Sequence, residues 1–366
     1  MGSKSKLYFP QLDSIRGLSF LAVYFFHALH PQFGINFFGR LLKFLHLNLV
    51  LSIDVFFILS SFLLTWLGIN EYKKNGNFSF INYFMRRVLR IWPLYYLLMI
   101  FSFVFVPYVA AKLNVNVTLP PAGYYLFFVS NFCQTEHVFF LTVLWTLSVE
   151  EQFYLLWGLC LFLLKKYITV CTILFIIISV GHTGYAICNK IGDYNNTLTY
   201  FFDFSIGIFS AILLQKSNLI TEFFKNITRV SSLLFLLLLP IIFLLFFIVI
   251  DVLPGYYYRW LDALNRYIFS IYTGLFIIEQ MVNPKPVLNL SKNKFLIYTG
   301  KISFGLYCFH GIVLIFGNVL LKKFNVHFPA IITSLIFLMV NYLVASISYK
   351  YFESPFLVLK DKLRRI

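Results

Sequence analysis

Across 366 residues, 60% are apolar, 20% are aromatic and only 12% are charged, about half the charged share of an ordinary soluble domain. That balance excludes a soluble globular chain and fits one embedded in a bilayer, where each crossing helix needs about 20 mostly apolar residues. The formal charge of +16 does not point to nucleic acid, because Lys and Arg cluster in short connections between apolar runs, as they do in cytoplasmic loops.

In chain order, the apolar runs predict spans at roughly 15–33, 47–69, 93–111, 138–164, 168–187, 199–214, 231–250, 267–283, 302–320 and 330–350. The expected fold is therefore all-α and polytopic, with about ten transmembrane helices in one domain over 1–366 and no separate soluble domain. The first run holds charged and polar residues and lacks a small-residue cleavage site, so it reads as a span rather than a cleaved signal. With the N-terminus inside, most of the 30 Lys and Arg fall on the inner side, which predicts cytoplasmic termini. The C-terminal KDKLRR run reads as a solvated face on that side. Segment 122–133 is too short to cross; it is expected at the outer surface or as a re-entrant piece buried in protein. The five cysteines are scattered, without CxxC spacing, and read as packing residues.

The first span opens LDSIRGLSFLAVYFFHALH. Arg16 and His27 are eleven residues apart, which on a helix leaves them about 20° apart on one face and about 16 Å apart along the axis. Asp13 lies near the same stripe. An anion-pairing group thus sits at the cytoplasmic edge and an imidazole deep in the membrane. The plainer reading is a histidine hydrogen-bonded between helices, but ionisable intramembrane groups are costly and usually functional.

Before the third span, NYFMRRVLRIWPLYY places Arg86, Arg87 and Arg90 within about one turn, with Arg87 and Arg90 on one face. This is either ordinary inside-positive charge or a phosphate clamp, for which the guanidinium fork is well shaped. The run LWTLSVEEQFYLLWG then carries adjacent carboxylates. Ser148 and Glu151 match a capping box, so Glu151 is expected to start a helix, leaving Glu150 to face the interior near the outer end.

Weaker signals are Asp54 in SIDVFFILSSFLLT, Ser303, Tyr307 and His310 in KISFGLYCFHG, and Glu353 in KYFESPF. Glu353 is expected to pair locally. His46, His137, His182 and His327 lie near span ends and receive no role. No G-x-S-x-G, H-E-x-x-H, Walker or GxGxxG pattern occurs, so neither a serine or cysteine nucleophile nor a metal site is expected.

Taken in order, these segments resemble the membrane-bound acyltransferase 3 family, which includes bacterial O-acetyltransferases of lipopolysaccharide, exopolysaccharide and peptidoglycan. The opening is similar to its L-D-G-x-R-G-x-A…H pattern, SIDVFFILSSFLLT to its G-x-D-x-F-F-x-x-S-G-F block, and RRVLRIWPLYY to its R-x-x-R block. WTLSVEEQFYLLW resembles W-S-L-x-x-E-x-Q-F-Y, which places the family carboxylate on Glu150. ISFGLYCFHG and SYKYFESPF look like its C-terminal blocks. Ser14, Ser52 and Ser61 stand where glycine is frequent. Some relatives carry a fused extracytoplasmic hydrolase-like domain, and none is expected here.

Residues and resemblance together suggest a bacterial cytoplasmic-membrane enzyme. Acyl-CoA, with acetyl-CoA foremost, would bind from the cytoplasm with its phosphates on Arg87, Arg90 and Arg16. His27 would take the proton of an acceptor hydroxyl as it attacks the thioester, with Glu150 orienting the imidazole or the hydroxyl. The resemblance implies a sugar hydroxyl of an envelope glycan or lipid-linked saccharide as acceptor. The competing readings are a transporter or flippase for lipid-linked saccharide, for which no inverted repeat is found, and a purely structural subunit.

Overall fold

The computed structural model describes residues 8–29, 33–112, 116–133, 139–215 and 219–363. Residues 30–32 of the expected 15–33 span, His137, the first residue of the expected 138–164 span and the end of the C-terminal basic run lie outside them. The helices are α1 Pro10–Ala28, α2 Phe37–Asn48, α3 Ser52–Asn75, α4 Phe80–Ile100, α5 Val106–Lys112, α6 Ala122–Leu126, α7 Phe139–Thr142, α8 Trp145–Leu163 and α9 Ile168–Cys188. They continue with α10 Phe201–Gln215, α11 Leu219–Asn226, α12 Arg229–Val252, α13 Tyr258–Val282, α14 Lys294–Lys301, α15 Ser303–Lys323, α16 Ala330–Ile347 and α17 Ser354–Lys362. No strand occurs among the described residues.

Every expected span falls on a helix. Among the described residues, seven helical stretches are long and apolar enough to cross a membrane: Phe37–Asn75, Phe80–Lys112, Lys165–Cys188, Thr197–Gln215, Arg229–Val252, Ser303–Lys323 and Ala330–Lys362. The other three expected spans lie on α1, α8 and α13, helices of 19, 19 and 25 residues that carry ionisable side chains. The outer surface is apolar, and the largely apolar interior also holds buried polar side chains. Only 6% of the most apolar stretch of α12 is buried, and Leu234, Leu238, Ile241 and Leu245 are exposed. Inside, Ser14, Asp203, Asn265, Glu279, His310 and Asn341 are buried. Apolar residues outside and polar residues inside are what a hydrocarbon solvent selects.

The polar interior is held by close helix contacts. Ser14 Oγ donates to the Leu290 carbonyl at 2.7 Å, and a Cβ at Gly300 would overlap the Asp13 carbonyl. Glycine there lets α14 lie backbone to backbone along α1. Gly207 on α10 meets the Ile58 carbonyl of α3 in the same way. Ser61 occupies a glycine-like position on α3 and satisfies its hydroxyl on the Ile58 carbonyl at 3.0 Å. We expect Gly300→Leu to push α14 off α1 and lower stability by about 1–3 kcal/mol, the usual cost of overpacking, measured as the thermal midpoint in detergent.

Two boundaries differ from expectation. Helix α4 begins at Phe80 and contains Pro93, so the arginine cluster lies within the helix rather than before it. It runs on through a π-helical turn at Phe101–Phe105 into α5. Helix α8 begins at Trp145, with Leu144 as N-cap, so Ser148 is already helical. Its hydroxyl is engaged elsewhere, 2.8 Å from Ser130 Oγ. The 122–133 segment is a short helix and a 3₁₀ turn packed into protein. Tyr95 OH donates to the Tyr125 carbonyl at 2.8 Å, and Gln152 Nε2 donates to the Phe128 carbonyl at 2.8 Å. Of the cysteines, Cys160, Cys171 and Cys308 are buried as packing residues, Cys133 is half-buried and Cys188 is exposed.

Candidate functional site

Helices α1, α3, α4, α8 and α15 converge on a narrow internal pocket of about 80 Å³. Arg16, Arg87, Arg90 and Glu150 all line it. It shares Arg16, Arg87, Arg90 and Phe304 with a wide vestibule of about 550 Å³. Arg86, Lys301 and Lys360 add positive charge to the vestibule, and Asp13, Glu353 and Asp361 add negative. A broad, mainly cationic mouth therefore narrows into a slot walled by Ile53, Phe56, Phe57, Ile91 and Leu147.

The cations are not equivalent. Arg16 Nη1 pairs with Asp13 Oδ1 at 3.1 Å, and Arg86 Nη2 with the buried Glu71 Oε2 at 3.3 Å. Among the described residues Arg87 and Arg90 form no ion pair; the Arg87 guanidinium lies 5.4 Å from the Tyr154 ring centroid. Half-buried guanidinium groups left unpaired beside a cavity favour an anionic ligand there. Their shared helical face follows from their spacing, because residues three apart lie on one side of a helix.

Glu150 faces into the slot. Its carboxylate accepts from Ser60 Oγ at 2.9 Å and from Tyr154 OH at 2.8 Å. It is thus in the same pocket as Arg87 and Arg90, not across the membrane from them, because α8 packs against α4. Glu151 is not a helix-start residue. It is buried and accepts from Trp92 Nε1 on α4 at 3.1 Å, tying α8 to the helix that carries the arginines. Glutamine still offers Trp92 a carbonyl acceptor, whereas alanine leaves a buried N–H without one. Glu151→Gln is therefore expected to fold normally, and Glu151→Ala to lose about 1–3 kcal/mol, read from thermal melts of the two variants.

His27 lies in the last turn of α1, which ends at Ala28 rather than running on to 33, and it is not among the residues lining the slot or the vestibule. Its ring lies 5.3 Å from that of His310 on α15, centroid to centroid. His310 is fully buried. Its Nδ1 contacts the Tyr307 carbonyl, which can only accept, so Nδ1 carries the proton and Nε2 is left as the acceptor nitrogen. Tyr307 itself lines the slot, donating to the Val143 carbonyl at 2.7 Å and lying 2.8 Å from Thr146 Oγ1. One turn of α15 therefore joins the slot to the two-histidine pair. Glu353 accepts from Ser348 Oγ at 3.1 Å within a π-helical turn, a local pairing, and also lines the vestibule.

A second buried ionic group was not anticipated. Arg266 on α13 donates to Asp54 at 3.0 Å and to Asp203 at 2.7 Å, and lies 4.1 Å from the Tyr200 ring centroid. Asp203 lies inside the expected 199–214 span. A lone carboxylate in so apolar a run requires a cation, and that signal could have prompted a search for one.

The chain matches the acyltransferase domain family over residues 9–350. It is 26% identical over 374 residues to O-acetyltransferase OatA of Staphylococcus aureus strain NCTC 8325 / PS 47, covering 96% of this chain and 57% of that protein. It is 27% identical over 380 residues to the provisionally named O-acetyltransferase SACOL0978 of S. aureus strain COL, covering 96% of this chain and 58% of that one. The chain thus spans a little over half the length of these relatives. No solved structure gives a significant match. The resemblance carried by the ordered blocks and the match over nearly the whole chain agree: this polytopic membrane protein belongs to the acyltransferase 3 family.

Proposed function

We propose that the chain is an O-acyltransferase of the bacterial cytoplasmic membrane, moving an acyl group from cytoplasmic acyl-CoA to a hydroxyl of an envelope glycan. Acetyl-CoA is the foremost donor, and O-antigen or exopolysaccharide the foremost acceptor class. The single observation that carries this reading is the cavity shape: a cationic vestibule tapering into a slender, largely apolar slot. A coenzyme A thioester has the matching form, with phosphates at one end and a thin pantetheine arm at the other. The positive-inside reading puts the vestibule on the cytoplasmic side, and the OatA name supplies the O-acetyl transfer for a relative.

In this reading Arg87 and Arg90 hold phosphate, with Arg16 held ready by Asp13. Glu150, fixed by Ser60 and Tyr154, offsets part of the cationic charge along the slot and orients the arm. His27, which the Tyr307–His310 turn of α15 joins to the slot, accepts the proton of the acceptor hydroxyl while that hydroxyl's oxygen attacks the thioester carbon. The C–S bond breaks, the acyl group becomes an ester and coenzyme A leaves as the thiolate, which is then protonated. An imidazole suits that base role because it changes charge near neutral pH.

The test is incubation of purified protein in detergent with acetyl-labelled coenzyme A and a polysaccharide acceptor. The expected result is release of free coenzyme A thiol with label on the saccharide. Failure to bind coenzyme A or release its thiol would sink the reading. Uptake of saccharide into vesicles without thiol release would favour transport instead.

A further inference from the structure

A third cavity, of about 210 Å³, lies between the start of α3, the end of α9 and the start of α13. Helix α3 places it in series with the other two. Asp54 lines this cavity, Phe57 and Ser60 the slot, and Leu63 and Leu67 the vestibule. From Asp54 to Leu67 is thirteen residues, about 20 Å of helix rise, or two thirds of a hydrocarbon core about 30 Å thick. The third cavity is thus at the end of the bundle opposite the cationic mouth.

Its lining is built for a polar ligand. Thr183, which is 7% exposed, and Tyr267 add two neighbouring buried hydroxyls to the wall. Three aspartates, Asp54, Asp193 and Asp262, outnumber the two arginines, Arg259 and Arg266, on the wall, which disfavours an anion. Tyr194, Tyr200 and Tyr258 add flat apolar faces with polar tips. Carboxylates and guanidinium groups beside tyrosine rings match a saccharide, whose hydroxyls both donate and accept while its C–H faces lie on aromatic rings.

One aromatic layer separates this cavity from the slot. Phe57 of the slot lies 4.7 Å from Tyr200 of the third cavity, ring centroid to ring centroid. Trp145 packs on Tyr200 at 5.4 Å and on Tyr194 at 5.1 Å. We propose that the third cavity is the saccharide acceptor subsite, and that the Phe57–Tyr200–Trp145 layer is the door through which the acceptor reaches the donor slot. This rests on the acyl-transfer reading above.

The experiment uses the full chain in detergent and a panel of glucose, N-acetylglucosamine and the tetrasaccharide of each. Binding is followed by saturation-transfer NMR and by Trp fluorescence, to which Trp145 contributes. Wild type is expected to bind at least one of the four. Asp262→Asn and Tyr258→Ala, both at the exposed rim, are expected to weaken that binding by about tenfold, the worth of one good hydrogen bond or stacking contact. Their thermal midpoints and affinity for coenzyme A should stay unchanged. Should Tyr258→Ala fail to fold, the conservative Asp262→Asn decides alone. A wild type that binds none of the panel, or variants that bind as wild type does, overturns the proposal. Saccharide binding lost in the variants, in a protein that binds no coenzyme A, leaves the subsite standing and removes only the donor assignment.

Discussion

His27→Ala is expected to lower transfer by at least the ~10²–10⁴-fold typical of losing acid–base assistance, with affinity for coenzyme A retained. The separation of the two effects follows from geometry. His27 lines neither the slot nor the vestibule, so its removal leaves the donor's contacts in place. It faces His310 across 5.3 Å, and the space it vacates is that of one ring. The measurement is transfer rate with isothermal titration of coenzyme A on the same preparation. Wild-type turnover by the variant would remove His27 from the chemistry and return it to a packing role beside His310. Coenzyme A affinity lost together with turnover would instead mean that α1 had shifted and carried Arg16 with it.

Arg87→Ala and Arg90→Ala are each expected to weaken coenzyme A binding by about ten- to a hundredfold, since a charge-assisted hydrogen bond contributes roughly 1.5–3 kcal/mol. Turnover at saturating donor should change less, because neither arginine is assigned to the reacting atoms. Arg86→Ala is the internal control. Its guanidinium is tied to the buried Glu71, so its loss should appear as instability, an uncompensated buried carboxylate, more than as weakened donor binding. Equal donor affinity in wild type, Arg87→Ala and Arg90→Ala would reduce the cluster to inside-positive charge. Lysine at either position keeps the charge and loses the planar fork, and an intermediate affinity is the expected result.

Glu150 shows how a candidate residue can be placed in the wrong company. Its position in an apolar run marks it as functional, since a bare carboxylate there is costly. Counting along the chain puts it near the outer end of its span, far from the arginines. The packing of α8 on α4 instead brings it into the slot that Arg87 and Arg90 line. Glu150→Gln is therefore expected to alter donor affinity as well as rate, where separation across the membrane would have spared binding. Glu151 shows the converse. The S-x-x-E spacing reads as a capping box, but the helix starts at Trp145, and Ser148 and Glu151 are each engaged by another segment, at Ser130 and Trp92. A local motif loses to a tertiary partner when the partner is buried with it.

By itself, the sequence determined what periodicity and solvent dictate. A chain this apolar must satisfy its backbone within helices, so the all-α embedding and the approximate position of the apolar helices were legible. Local helical spacing likewise put Arg87 and Arg90 on one face, because residues three apart share a face whatever surrounds them. Only the tertiary structure decided which faces meet. Asp54 and Arg266 are 212 residues apart, and Asp203 and Arg266 are 63 apart. His27 meets His310, and Asp54, Phe57, Ser60 and Leu67 turn out to line three cavities in succession. Those pairings rest on side-chain volumes and on close approaches such as Gly300 against Asp13 and Gly207 against Ile58, which no spacing within one helix encodes.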